Sequence, residues 1–132
     1  MKRKLLIAIP YLILIITAII FLISSCSGGS YRITIGHINS DSNSIEGSYN
    51  SFSGSYYRKI KLTEGDEIII NFKKQTKKGS LDAELISPEG NKIEIANESK
   101  NQSIIIKKSG TYKITVIGDG HEGNFIITWY VK

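Results

Sequence analysis

Few side chains in this chain of 132 residues are spaced for chemistry. It has one cysteine, Cys26, and two histidines, His37 and His121, which stand far apart beside predicted turns. A serine nucleophile needs a positioned base, and the sequence has no Gly-x-Ser-x-Gly turn. We therefore predict no catalytic residue, no metal site and no cofactor, and hence a protein that is not an enzyme. We interpret His121 as part of a solvated hairpin loop.

The position of the lone cysteine is the most specific signal in the sequence. An uncharged, apolar run fills residues 5–23, behind the basic residues at 2–4 that favour the cytoplasmic side. Ile23, Ser24, Ser25 and Cys26 follow one another at its end. This order resembles the lipobox of bacterial lipoproteins. The resemblance implies a signal peptide at 1–25, lipid (palmitate-type) acylation of Cys26, and a lipid anchor on the extracytoplasmic face of the cell membrane.

The same apolar run has a second interpretation. At about 1.5 Å per helical residue it approaches the roughly 30 Å of a bilayer core. It could therefore remain as an uncleaved signal anchor. Both interpretations place the rest of the chain outside the cytoplasm, and the sequence leaves open whether the leader is cleaved.

The leader also accounts for much of the positive charge. Of the 17 basic residues, three lie at positions 2–4, which leaves 14 against 12 acidic residues. Nucleic-acid binding needs a concentrated basic face, so this near balance predicts no nucleic-acid partner. Lys73, Lys74, Lys77 and Lys78 cluster locally, and we interpret them as a solvated turn between strands.

The remaining sequence has the alternation typical of strands. Residues 26–30 are rich in glycine and serine and predict a flexible tether, and residues 31–132 are long enough for one domain. Apolar residues repeat with period two in several segments; in the last, Phe125, Ile127, Trp129 and Val131 share one face. Turn signals recur about every ten residues, at 64–66, 78–80, 88–91, 109–110 and 118–120. We predict an all-β fold, a single antiparallel β-sandwich (jelly-roll-like, about seven to nine short strands), with Trp129 in its core and Tyr130 pointing outward.

Residues 61–129 resemble a known domain type. The matching segments are 62–66 leading into 68–70, then 79–85, 87–91, 109–116 and 123–129. Each is a turn followed by a strand, as in the bacterial pre-peptidase C-terminal (PPC-type) β-sandwich. The resemblance implies a sandwich fold and a non-catalytic accessory role such as polymer binding. It carries no site residues over.

The polar segment at 38–54 contains a candidate calcium-binding loop. Asn39 to Asn43 alternate oxygen ligands as a calcium loop does, but Ser44 replaces the glycine expected at its sixth position. Whether this loop binds calcium stays open, against an ordinary polar loop. We also predict a long irregular connection here with at most one short strand near 45–49.

Aromatic side chains concentrate in and beside this segment. Tyr49, Phe52 and Tyr57 could form an exposed ligand-binding surface, because tyrosine gives a large contact area with a polar tip. The alternative is that these rings, with Tyr56, close the edge of the sandwich.

Two functions remain in competition at this stage. The first is a surface-anchored, non-catalytic binding module of the cell envelope that contacts polysaccharide or a protein partner. The second is a structural or immunity-type envelope lipoprotein without a small-molecule ligand. The sequence names neither the ligand nor the oligomeric state.

Overall fold

The computed structural model describes residues 10–16, 27–97 and 100–132. The proposed cleavage site and Cys26 lie outside these ranges. Residues 10–16 are helical, and no helix in the described part of the chain is long and apolar enough to cross a membrane.

Beyond this helix, the described residues form seven antiparallel strands. They are β1 (Ser27–Gly28), β2 (Tyr31–Ser40), β3 (Ser44–Leu62), β4 (Glu67–Ile86), β5 (Lys92–Ile95), β6 (Gln102–Ile105) and β7 (Gly110–Val131). All are linked into one hydrogen-bonded sheet. The predicted all-β sandwich class is confirmed.

Three of the strands are far longer than the short strands we predicted. β3, β4 and β7 have 19, 20 and 22 residues, and the registers of β3 and β4 shift near their middles. The clusters at 78–80 and 118–120, predicted as turns, are instead bends within β4 and β7. Gly79 has a φ of 72°, and a Cβ there would lie 2.3 Å from the Gly120 carbonyl oxygen. Glycine at this position therefore lets the β4 and β7 backbones approach each other closely at the bend.

Each bent strand serves two layers of the sandwich. In the first layer the strand order is β2, β3, β7, β4, β6, formed by the N-terminal halves of β3 and β4 and the C-terminal half of β7. In the second layer the order is β1, β3, β7, β4, β5, formed by the other halves. The Tyr56 hydroxyl lies 2.7 Å from the Ser40 hydroxyl and joins the layers at one edge.

The core lies between the two layers. Its members alternate along each strand, as period-two patterning requires. Trp129 is 3% exposed and Tyr130 is 56% exposed, so both predictions for this pair are confirmed. The core includes Ile45, Phe52, Ile68, Ile70, Phe72, Leu81, Leu85, Ile114, Val116, Phe125, Ile127 and Trp129.

Two predicted irregular segments are ordered strands. Residues 38–54, predicted as a long polar connection, are the β2–β3 hairpin, paired in register from Ser40 with Ile45 to Tyr31 with Gly54. Ser27 and Gly28, predicted to lie in a flexible tether, pair with Arg58 and Tyr57 of β3. Composition suggested flexibility at both places, but backbone pairing does not depend on apolar side chains.

Candidate polar binding face

The outer face of the first layer carries a row of polar side chains that can form hydrogen bonds. His37 pairs with Ser48, Ser48 with Asn124, and Asn124 with Gln75, so the four residues cross β2, β3, β7 and β4 in register. All four are exposed. We call these four residues the polar row.

Two shallow depressions flank the polar row and share His37, Ser48 and Asn124. Their volumes are about 310 and 410 Å³. The first is also lined by Ile35, Gly36, Tyr49, Asn50, Lys77, Glu122 and Gly123, and the second by Glu46, Gly47, Phe125 and Ile126. Together they form a polar surface that crosses the layer close to the bends of the long strands.

The strand alternation explains why these residues share one face. In β3 the residues Ile45, Gly47 and Tyr49 are buried, whereas Glu46 and Ser48 are exposed. Because neighbours in register point to the same side of a sheet, one polar position in each strand places four polar groups side by side.

The chemistry available on this face is hydrogen bonding. The Asn124 side-chain amide donates to the Gln75 side-chain oxygen at 3.3 Å, which orients both groups and leaves further donors and acceptors on each. Lys77 and the carboxylates of Glu46 and Glu122 stand at the rim. The arrangement suits a ligand that is itself neutral and rich in hydroxyl groups.

A chain of hydrogen bonds, buried at Tyr49 and His121 and reaching the exposed Thr76, lies directly behind the first depression. Tyr49, which lines it, places its hydroxyl 2.7 Å from Nδ1 of His121, and Nε2 of His121 lies 2.9 Å from the Thr76 hydroxyl. His121 is 0% exposed. A neutral imidazole can accept from one partner and donate to the other, so both ring nitrogens are satisfied. The chain ties β3, β7 and β4 together at their bends.

Burial perturbs both titratable members of this chain. Desolvation raises the pKa of Tyr49, so its hydroxyl keeps its proton. Desolvation holds the pKa of His121 below its ordinary value, and the positive charge of Lys74 adds a smaller effect in the same direction. Because His121 is fully buried within β7, the interpretation of this residue as part of a solvated loop is wrong.

The lowered pKa of His121 predicts that acid destabilises the fold. The unfolded chain takes up a proton at His121 near pH 6.5, whereas the folded chain resists until the pH is lower. The contribution of neutral His121 is therefore complete above about pH 6.5 and is lost as the pH falls through its folded pKa. Urea unfolding measured across this range should show a decrease in the free energy of unfolding.

The control for this prediction is His121→Gln, which keeps a hydrogen-bonding side chain without a titrating group. Its stability should fall less steeply over the same pH range, since only the other groups still titrate. Equal slopes for the two proteins would contradict the prediction.

The predicted aromatic surface is not present as such. Tyr49 is 5% exposed and Phe52 is 0% exposed, and both pack in the core against Phe125 or each other. Tyr57 is half-buried, with its ring 4.6 Å from the Lys113 ammonium. The exposure predicted for Tyr49 and Phe52 is therefore wrong. Strand alternation turns the Tyr49 ring inward, and the register shift of β3 between Tyr49 and Phe52 turns the Phe52 ring to the same side.

The calcium-like loop closes the β2–β3 hairpin. One carboxylate oxygen of Asp41 accepts hydrogen bonds from the Asn43 backbone N–H at 3.0 Å and the Ser44 hydroxyl at 2.9 Å. These hydrogen bonds hold the pKa of Asp41 below its ordinary value, and the bond from the Asn43 backbone has the largest effect. This carboxylate acts as the cap of a turn. Among the described residues no group of three His, Cys, Asp or Glu side chains converges as a metal site would.

Sequence reasoning missed the polar row and the buried histidine for different reasons. Period-two alternation extended back from Phe125 reaches His121 on the inward face, so a signal for its burial was present. The polar row depends on the register between four strands, which a single sequence does not show.

No protein family and no curated protein matches this sequence. Among solved structures, the chain is similar to the enzymatically active domain of tailspike protein 4 from bacteriophage CBA120, at 12% identity and a TM-score of 0.51. That match covers 82% of this chain and 20% of the tailspike, so the chain spans about one fifth of that protein's length. This likeness shows the fold alone.

Two other solved structures are similar at lower scores. TmCBM61, in complex with β-1,4-galactotriose, has 17% identity and a TM-score of 0.47 over 85% of this chain and 92% of that one. PliG, a periplasmic inhibitor of g-type lysozyme from Aeromonas hydrophila, has 11% identity and a TM-score of 0.39 over 81% of this chain and 89% of that one. These proteins differ in activity, and their likeness assigns none.

Proposed function

We propose that this chain is a non-catalytic binding module of the bacterial cell envelope, held at the membrane by a lipid on Cys26. Its ligand is a neutral, hydroxyl-rich polysaccharide chain of the envelope, and its binding site is the polar row with the two depressions beside it. The single observation that carries the proposal is the register of His37, Ser48, Asn124 and Gln75 across four strands.

The polar row supports a sugar chain better than a charged or apolar ligand. Solvated sheet faces commonly carry lysine and glutamate, whereas this row offers imidazole, hydroxyl and amide groups that both donate and accept hydrogen bonds. An extended ligand lying across the strands could contact all four side chains in succession. The shallow depressions leave it partly solvated, which suits weak recognition of an abundant polymer.

The leader supports the proposed location. A lipobox-like segment places the acylated residue directly before β1, so the domain would start at the membrane surface. Two acyl chains hold a protein stably at a bilayer, whereas one gives only marginal binding.

The test is retention by polysaccharide in a native gel that contains purified envelope glycan. The wild-type domain should be retarded, and the Ser48→Ala/Asn124→Ala variant should bind roughly thirtyfold more weakly, since each of the two lost hydrogen bonds contributes about 1 kcal/mol net. Both side chains are exposed, so the melting temperature should stay close to that of the wild type.

The matched control is Thr111→Ala, which removes an exposed polar side chain from the other layer. It should bind as the wild type does. A wild type that no envelope glycan retards, or a double variant retarded as strongly as the wild type, would overturn the proposed site.

A further inference from the structure

The outer face of the second layer differs in charge from the polar face. Lys59 pairs in register with Lys113, Lys113 with Ile86, and Ile86 with Lys92. Three lysines, one each from β3, β7 and β5, therefore lie in one row across the layer. Lys61 lies two residues beyond Lys59 on the same face. We call Lys59, Lys61, Lys92 and Lys113 the lysine row.

The lysine row lies beside the place where the chain enters the fold. Ser27 pairs with Arg58, the neighbour of Lys59, and is bonded directly to Cys26. The described strands therefore begin beside this row, one residue after the proposed site of the lipid anchor.

Contacts between side chains tie β1 to the same face. Gly28 lies against the Tyr57 ring, since a Cβ on Gly28 would be 2.8 Å from the Tyr57 hydroxyl. The Lys113 ammonium lies over the same ring, 4.6 Å from its centroid. The start of the fold and the lysine row are thus one continuous surface.

The acidic residues of this face lie farther toward the bends. Glu84 and Glu94 occupy the row of Tyr57, and Asp82 lies one row beyond. Along the strands of this face the lysines therefore lie toward the side from which the chain enters, and the carboxylates begin one row farther on.

We propose that the lysine row docks onto anionic phospholipid headgroups and fixes the orientation of the domain at the membrane. The inference rests on the N-terminal segment being held in the membrane, which both the lipid anchor and an uncleaved signal anchor provide. Basic residues beside a membrane anchor are attracted to anionic lipid over about one Debye length, roughly 10 Å at moderate salt. The headgroup phosphates supply the complementary charge.

This orientation has a consequence for the polar face. The outer faces of two packed sheet layers look in opposite directions. With the lysine row on the lipid, the polar row points away from the membrane toward the envelope polymer. An anchor at the N-terminal end attaches the domain at one point and does not by itself fix its orientation.

The test is amine footprinting of the full chain, purified in detergent and reconstituted into vesicles. A membrane-impermeant acetylating reagent is applied, and modification of each lysine is read by mass spectrometry. In vesicles with phosphatidylglycerol, the lysine row should react roughly fivefold more slowly than in pure phosphatidylcholine, and high salt should restore the rate. Lys77 and Lys78, exposed at the bend of β4, should react equally in both vesicles.

Two matched variants complete the test. Lys61→Gln/Lys92→Gln removes two exposed lysines of the row and should release Lys59 and Lys113 from protection. Lys77→Gln/Lys78→Gln makes the same charge change elsewhere and should leave the protection unchanged. Equal reactivity of the row in anionic and neutral vesicles, or protection that survives the first variant, would overturn the inference.

The outcome is independent of the proposed ligand. Acylation of Cys26 is read from the intact mass of the same sample, and polysaccharide retention is read in the native gel. Failure of the lysine row to dock would therefore leave the polar row and the lipid anchor standing, and the reverse also holds.

Discussion

Replacing Trp129 with alanine is expected to lower the free energy of unfolding by about 3–5 kcal/mol. The indole is 3% exposed within the core cluster, so the substitution removes its burial and leaves a cavity between the layers. A domain of this size has roughly 5–15 kcal/mol of stability in total, so the variant should be close to unfolding at room temperature. Urea unfolding followed by circular dichroism on residues 27–132 measures the change, since the described core lies wholly within this range.

The neighbouring residue provides the control. Tyr130 is 56% exposed on the opposite face of β7, so Tyr130→Ala should change the free energy of unfolding by no more than about 0.5 kcal/mol. Similar losses for the two variants would contradict the placement of the indole in the core. So would native tryptophan fluorescence that is fully quenched by a soluble quencher.

Cys26→Ser is expected to abolish lipid attachment altogether. The thiol is the acylated group in the lipobox interpretation, and a serine of nearly the same size removes only that nucleophile. The wild type should carry a palmitate-type label and the mass of a chain that begins at Cys26. The variant should lose the label and keep the mass of the precursor.

The control for this prediction is Ser25→Ala, which keeps a small residue before the cysteine and should be labelled as the wild type is. If Cys26→Ser has the mass and membrane association of the wild type, the lipid anchor is wrong. The uncleaved signal anchor then accounts for the apolar segment at 5–23.

The sequence predicted the class of fold because alternation is a local property. Phe125, Ile127 and Trp129 repeat with period two, and burial of one strand face is the physical cause of that pattern. The bends of β4 and β7 were missed, because glycines such as Gly79 and Gly120 suit both a turn that ends a strand and a bend within one. Only the partner strands decide between the two.

The candidate site was harder to predict for a related reason. Tyr49 and Phe52 lie in a stretch rich in serine and asparagine, and both rings are buried only because the register of β3 shifts between them, which the sequence does not show. The polar row has no sequence signature at all, since His37, Ser48, Gln75 and Asn124 meet only through strand register. The lysine row likewise joins Lys59 and Lys113, which are distant along the chain.

The central claim is that the polar row is the ligand-binding surface of an envelope module. The most direct measurement is a titration of ¹⁵N-labelled domain, residues 27–132, with soluble fragments of envelope polysaccharide, followed by amide chemical shifts. The account predicts shifts that cluster at His37, Ser48, Gln75 and Asn124, with the lysine row unaffected. Shifts confined to the loops at 87–91 and 106–109, or no shifts with any envelope glycan, would contradict it.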